Sequence, residues 1–213
     1  MSNNATQNQR VEKASRKRRA EKKAETRRAI LDAATEIFLA QGKDDFSLRQ
    51  VAEATGYSAT TIYLYFEDKE DLLLHAALDG FVIFGQALRD AYDAHDAPWE
   101  RLMAEGEAYV RFGLSYPVHY RLMFMGYGGY LDCELPEGHP PVRDSFQILS
   151  KTVQECIDAG IMPERPLEHY TTLIWSGVHG VVSLCLANPM LTKEDALAAF
   201  KLHEETMMLA LKT

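Results

Sequence analysis

Only three cysteines, Cys133, Cys156 and Cys185, occur in the 213 residues. An odd number without paired spacing excludes a disulfide framework and points to a reducing compartment. The opening MSNNATQNQR is polar and has no apolar core, so no signal peptide is expected. Long hydrophobic runs are also missing. The longest, Leu173 to Ala187, is interrupted by Ser176, His179 and Ser183 and is expected to be too short and too polar to span a bilayer. No alternating apolar and polar stretch marks a strand, and no repeat recurs. The seven histidines are scattered without a His-x-x-x-His pair, and Cys133 with His139 does not by itself make a metal site. GYGGY (126–130) has neither the Lys-Ser/Thr nor the strand-before, helix-after setting of a phosphate loop. No spacing suggests a Ser/His/Asp or Cys/His set. These absences argue against an enzyme, a metal or cofactor protein and a membrane protein. The expected location is the cytoplasm.

Excess positive charge is lacking as well, since the net charge is −8. Its distribution matters more than its sum. Residues 1–75 hold 13 basic and 12 acidic side chains, whereas residues 76–213 hold 10 and 19. Within 10–28 there are ten basic residues against three acidic ones, among them Arg16-Lys17-Arg18-Arg19 and Lys22-Lys23. A polyanion responds to this local field, because charges beyond roughly 8–10 Å are screened. The run reads either as an arm lying on phosphates or as a solvated tail, and residues 1–9 are expected to be disordered in both cases.

The most informative stretch is 46–72, FSLRQVAEATGYSATTIYLYFEDKEDL. Ser47 is placed to N-cap a short helix whose Leu48, Val51 and Ala52 form one apolar face. Gly56 supplies the positive φ that a tight turn needs. Ser58 then caps a second helix, expected to run to about Phe66, with Ile62 and Phe66 inward. Ala59, Thr60, Thr61, Tyr63 and Tyr65 remain for its outer and flanking faces. This is a helix-turn-helix, whose second helix enters the major groove of double-stranded DNA. Thr60, Thr61 and Tyr63 are candidates for base or groove contacts, beside Ser58 and Ala59 at the helix start. Ser47, Arg49, Tyr65 and Lys69 are candidates for phosphate contacts.

The same residues resemble the DNA-binding signature of the tetracycline-repressor (TetR) family of bacterial regulators. The matching positions are Gly56, Ser58, Thr61, Ile62, Tyr63, Tyr65-Phe66, Lys69 and Leu72. Upstream, RRAILDAATEIFLAQG is similar to the family's first helix and ends in Gly42. Tyr57 departs from the pattern, standing where a small aliphatic residue is usual. A second likeness, the family's C-terminal Trp-x-x-x-His-Gly pattern, falls on Trp175, His179 and Gly180. The resemblance implies a homodimer on a palindromic operator, most simply a repressor released by a small effector. The alternative it leaves open is the same dimer under protein control or constitutively bound.

The rest reads as all-α. A first helix is expected over about 25–40, with Ile30, Ala33, Ala34, Ile37 and Phe38 on one stripe. A long helix follows from Lys69 to about His95, and others are expected over about 98–114, 117–125, 142–160, 166–187 and 192–211. GYGGY and PEGHPP (136–141) are expected as loops. The organisation expected is a basic arm (1–22), a three-helix DNA-binding domain (23–70) and a helical effector-binding and dimerisation domain (71–213). Phe84, Met103, Tyr109, Tyr120, Phe124, Phe146, Gln147, Trp175 and His179 are the candidate effector pocket, suited to a mostly apolar small molecule. His179 reads more simply as a buried histidine hydrogen-bonded to backbone. TLIWSGVHGVVSL (172–184) is apolar nearly all round, which requires cover on two sides. One side is the protomer's own core and the other a second copy of the chain. Gly177 and Gly180 would allow close approach there, and Trp175, Val178, Val182, Phe200 and Met207 are the candidate interface residues.

Overall fold

A computed structural model describes residues 2–42, 45–125 and 144–211, with side chains from Glu12 onward. Cys133, His139, GYGGY and PEGHPP, and the expectations placed on them, lie outside the described residues. Among those described, every regular element is an α-helix. The chain divides into two compact units, Met1–Ala76 and Ala77–Thr213, and the division falls within the fourth helix.

The first unit begins with α1 (Ser2–Gln41), which is far longer than expected at its start. The residues expected to be disordered continue the helix. The reason is compositional: residues 1–41 contain no proline and no glycine, and Ala, Lys, Arg and Glu dominate 10–28. Side chains 12–25 are all exposed, and α1 enters the core only at Thr26, Ile30, Leu31, Ala34 and Phe38. Then follow α2 (Leu48–Thr55) and α3 (Ala59–Tyr63), and α4 (Lys69–Asp93) adds its first turns. Phe46, Val51, Ile62, Phe66, Leu72 and Leu73 close this core. Arg27 braces it, donating to His75 Nδ1 at 2.7 Å and lying 5.5 Å over the Phe66 ring.

The second unit holds the rest of α4 with α5 (Pro98–Ser115), α6 (Pro117–Phe124), α7 (Asp144–Asp158), α8 (Leu167–Ala187) and α9 (Lys193–Leu211). Pro98 and Pro117 stand in the first turns of α5 and α6, where the missing N–H is no loss. Gly160, at φ 67°, turns the chain out of α7 in a conformation disfavoured for residues with a Cβ. Central α5 packs against α6, α7, α8 and α9. Trp99, Leu102, Val153, Cys156, Tyr170 and Ile174 form one continuous buried cluster. A polar clamp ties α4, α5 and α7. Tyr92 donates to Glu155 at 2.7 Å, and Arg101 donates to Glu155 at 2.9 Å while lying 4.2 Å over the Tyr92 ring.

Helices α4 and α8 are each long and apolar enough to cross a membrane by length and composition, with a mean hydropathy of 1.3 over their most apolar stretches. The length argument against 173–187 therefore fails, because the helix starts at Leu167 and has 21 residues. Over those stretches, 56% of α4 is buried inside the fold but only 22% of α8.

Candidate functional site

Two places carry function-bearing geometry, one in each unit. In the first, Ser47 caps α2 reciprocally with Gln50. The Gln50 N–H donates to Ser47 Oγ, and the Ser47 N–H donates to Gln50 Oε1 at 2.9 Å. Gly56 follows in the left-handed region at φ 70°. Ser58 caps α3 by accepting from the Thr61 N–H at 3.1 Å. The second helix is shorter than expected and ends at Tyr63. From there the N–H groups of Leu64, Tyr65 and Phe66 bond back to Thr61 and Ile62 carbonyls, and this turn still carries Phe66 into the core.

Ala59, Thr60 and Tyr63 are exposed on α3, beside exposed Ser58. Thr61 is half-buried and its hydroxyl lies 2.9 Å from Ser58 Oγ, so the cap already engages it. Arg49 is exposed and held by Glu53 at 3.1 Å, whereas Ser47, Tyr65 and Lys69 are half-buried. Leu64, 75% exposed at the end of α3, is a surface residue that the sequence motif does not flag. Its position one residue past Tyr63 in the outward run is the available signal.

In the second unit, a cavity of about 40 Å³ lies among α4, α5, α6, α7 and α8. Five of the nine expected pocket residues line it: Phe84, Tyr109, Phe124, Phe146 and Trp175. Phe146 meets Trp175 edge-on with centroids 5.3 Å apart, and Phe84 meets Tyr109 at 5.3 Å. Met103 is not in this wall but packs, half-buried, against the Trp99–Ile174 cluster. Gln147 is exposed, so its expected place in the pocket is corrected. Successive side chains of a helix are turned by roughly 100°, and on α7 Phe146 takes the inward position.

Tyr120 and His179 stand behind the wall in a chain of hydrogen bonds. Trp175 Nε1–H donates to Tyr109 Oη at 3.1 Å, Tyr109 and Tyr120 Oη are 3.2 Å apart, and Tyr120 Oη reaches His179 Nδ1 at 2.7 Å. Burial pushes the His179 imidazolium pKa down and so favours the neutral ring, whose tautomer sets whether Nδ1 accepts from Tyr120 or donates to it. Burial also pushes Tyr109 up to about 12 and raises Tyr120, which keeps both phenols protonated as donors. The expected backbone partner for His179 Nδ1 is thus replaced by tyrosine hydroxyls. Trp175 and His179, one turn apart on α8, end on the same tyrosine pair, which is a physical reason for their spacing.

One cavity-lining group carries no motif in the sequence. Glu105 is only 3% exposed. Thr152 donates to its Oε1, whereas Oε2 has no hydrogen-bond partner among the described residues. Desolvation raises its pKa from 4.5 to about 7, opposed by the Thr152 hydrogen bond. No group of three or more His, Cys, Asp or Glu able to hold a metal occurs among the described residues.

The expected interface residues also need correction. Val178, Val182, Phe200 and Met207 are buried in their own protomer, and Trp175 lines the cavity, so they have little surface left for a partner. A helix apolar on all sides gives no phase, and Val178 and Val182 lie on the inner side of α8, as Phe200 and Met207 do on α9. The outer stripe of α8 is Leu173, Ser176, Gly180, Leu184 and Ala187, with Leu184 62% exposed. On α9 the exposed apolar residues are Leu197, Leu202, Met208 and Leu209. A Cβ on Gly177 would overlap the His203 ring of α9, so this glycine serves packing within the chain. Gly180 faces open space.

Comparison with known proteins agrees with this architecture. Residues 30–76 match the family model for bacterial regulatory proteins of the tetR family, and residues 102–207 match a tetracyclin repressor-like C-terminal domain. No curated relative matches the chain. Among solved structures, a TetR family transcription regulator from Marinobacter aquaeolei VT8 is 23% identical with a TM-score of 0.67, covering 87% of this chain and 97% of that one. A tetR-family regulatory protein from Rhodococcus RHA1 is 21% identical with a TM-score of 0.70, over 87% and 96%. The transcriptional regulator FadR from Bacillus subtilis, solved with stearoyl-CoA, is 19% identical with a TM-score of 0.68, over 85% and 97%. With both its head and its C-terminal domain matched, the chain belongs to the TetR family of bacterial transcription regulators.

Proposed function

We propose that the protein is a cytoplasmic, homodimeric repressor that leaves a palindromic operator when a small, largely apolar molecule enters the α4–α8 cavity. The observation that carries this is one chain holding both a capped helix-turn-helix with an exposed α3 and a lined cavity with five aromatic walls. Ala59, Thr60 and Tyr63 are the groove-facing candidates, with Ser58 and Thr61 at the cap. Ser47, Arg49, Tyr65 and Lys69 are the phosphate candidates. A dimer is needed so that two α3 helices meet half-sites about one DNA turn apart, roughly 34–36 Å. The outer stripes of α8 and α9 supply an apolar face for it. The cavity of about 40 Å³ has room for only a few waters, at roughly 10–15 Å³ each, so an effector must displace half-buried walls such as Phe146 and Trp175. The stearoyl-CoA held by the Bacillus subtilis FadR supports an apolar ligand in this class of fold. Footprinting on the DNA flanking its own gene tests the reading. A protected palindrome is expected, lost in the Tyr65→Ala, Lys69→Ala double variant. Wild-type binding by that variant removes the phosphate assignment.

A further inference from the structure

Among the described lining residues, Glu105 and Ser145 alone are neither apolar nor aromatic. Glu105 is the single ionisable acid among the described lining residues, and one of its two carboxyl oxygens lacks a partner. Buried carboxylates are ordinarily paired or fully hydrogen-bonded. The nearby cations do not supply the pair: Arg101 is bonded to Glu155 and Tyr92, and Lys151 lies 4.3 Å over the Tyr92 ring. Five aromatic side chains line the cavity, and an aromatic ring attracts a cation placed over its face. We propose that Glu105 is a recognition group for an ammonium, and that the effector is an aromatic or aliphatic amine whose charged nitrogen meets Oε2 while its apolar body sits against Phe84, Phe124, Phe146 and Trp175.

The charge balance supports this choice over an anion or a neutral ligand. Once Glu105 is ionised, an anion would face a like charge at short range in a low-dielectric site. A neutral apolar ligand would leave Oε2 buried and unpaired. An ammonium satisfies Oε2 with an N–H donor and neutralises the carboxylate, and such charge-assisted bonds are the strong ones. Lengthening the apolar body should add affinity, because the charged group stays in place at Glu105.

This inference rests on the effector reading proposed above, and two assays separate them. The first uses the full-length protein without DNA at pH 8, titrated calorimetrically with 2-phenylethylamine and with 2-phenylethanol, its uncharged counterpart. The amine should bind at least about tenfold more tightly, and Glu105→Gln should bring the two within about twofold while alcohol binding remains. Equal binding of both probes by the wild type, a preserved amine preference in Glu105→Gln, or no saturable amine binding overturns the proposal. Should Glu105→Gln fold poorly, the wild-type carboxyl carbon of Glu105 serves instead. Its NMR resonance at pH 6 should move to the ionised position on adding the amine and not the alcohol, and an unmoved resonance overturns the assignment. The second assay adds the footprinted duplex. Alcohol-driven release without an amine preference keeps the effector reading and sinks the Glu105 inference. Glu105-dependent amine binding that leaves the duplex bound does the reverse.

Discussion

Glu105 ties a single carboxyl group to the stability of the second unit. Its pKa rises from 4.5 to about 7 in the folded chain, chiefly through desolvation. The folded state therefore binds more protons than the unfolded state between those values. Stability from this group is highest below pH 4.5, falls as pH rises through 7, and is then level. The whole difference is about 3 kcal/mol. Arg101, Lys151, Glu155 and Cys156 are the charged and titratable neighbours that modulate it. Glu105→Gln should flatten the slope of unfolding free energy between pH 5 and 8, measured by urea denaturation. An unaltered slope would show that the carboxyl does not titrate in this range. Tyr120 offers a second residue-scale measurement. Tyr120→Phe removes the hydroxyl bonded to His179 and leaves buried polar groups short of a partner, at a cost of about 1–3 kcal/mol. Thermal unfolding at pH 7.5 reads it, and an unchanged midpoint would mean the hydroxyl chain adds nothing to folding.

At the scale of elements, the caps set the helix-turn-helix. Ser58→Ala removes one of the two acceptors of the Thr61 N–H, leaving the Ser58 carbonyl at 2.9 Å, and removes the hydroxyl facing Thr61, at a cost of about 1 kcal/mol of stability. Operator affinity should fall further than stability alone explains, because the Ser58 side chain fixes the start of the five-residue α3 that carries the exposed Ala59, Thr60 and Tyr63. A variant with wild-type affinity and stability would show that packing of Ile62 suffices. Much of this was legible in the sequence because Ser47, Gly56, Ser58, Pro98 and Pro117 act locally, through caps and fixed φ. Other features depend on tertiary context. Ile62 and Phe66 have helical spacing, yet a turn after Tyr63 brings Phe66 to the same side. The length of α1 is hidden when charge is taken as a sign of disorder, although nothing in 1–41 breaks a helix. Glu105 lies three residues from Leu102 and four from Tyr109, on the inward stripe of α5, and that spacing is the signal of its burial. Residues 12–25 project from α1 without a packing partner of their own, and their exposed cations suit phosphates. Deleting residues 1–22 should make log K against log[salt] shallower by about 0.9 for each phosphate that the segment neutralises. An unchanged slope would assign the segment no role on DNA.

For the whole molecule, assembly and response both turn on which faces are covered. The stripe through Leu173, Gly180 and Leu184 and the exposed α9 residues Leu202 and Leu209 are apolar surface left on the last two helices once the protomer's core is made. Leu184→Arg should therefore split the dimer while each protomer keeps its helices, as followed by sedimentation and circular dichroism. Val182→Arg, fully buried, should instead lower folding stability. A stable wild-type monomer at micromolar concentration would sink the dimer proposal. In the proposed repressor, ligand and operator are linked through that dimer. A ligand shifts an equilibrium only by its differential affinity for the two states, and DNA must weaken the ligand by the same factor. With a coupling of about 1–3 kcal/mol, saturating ligand should reduce operator affinity by roughly 5- to 150-fold. The Leu184→Arg monomer should bind the ligand but show no operator affinity to lose. Calorimetric titration of a bound compound with and without the footprinted duplex measures the reciprocal factor. Equal ligand affinity in both titrations would leave a regulator that binds DNA independently of its cavity.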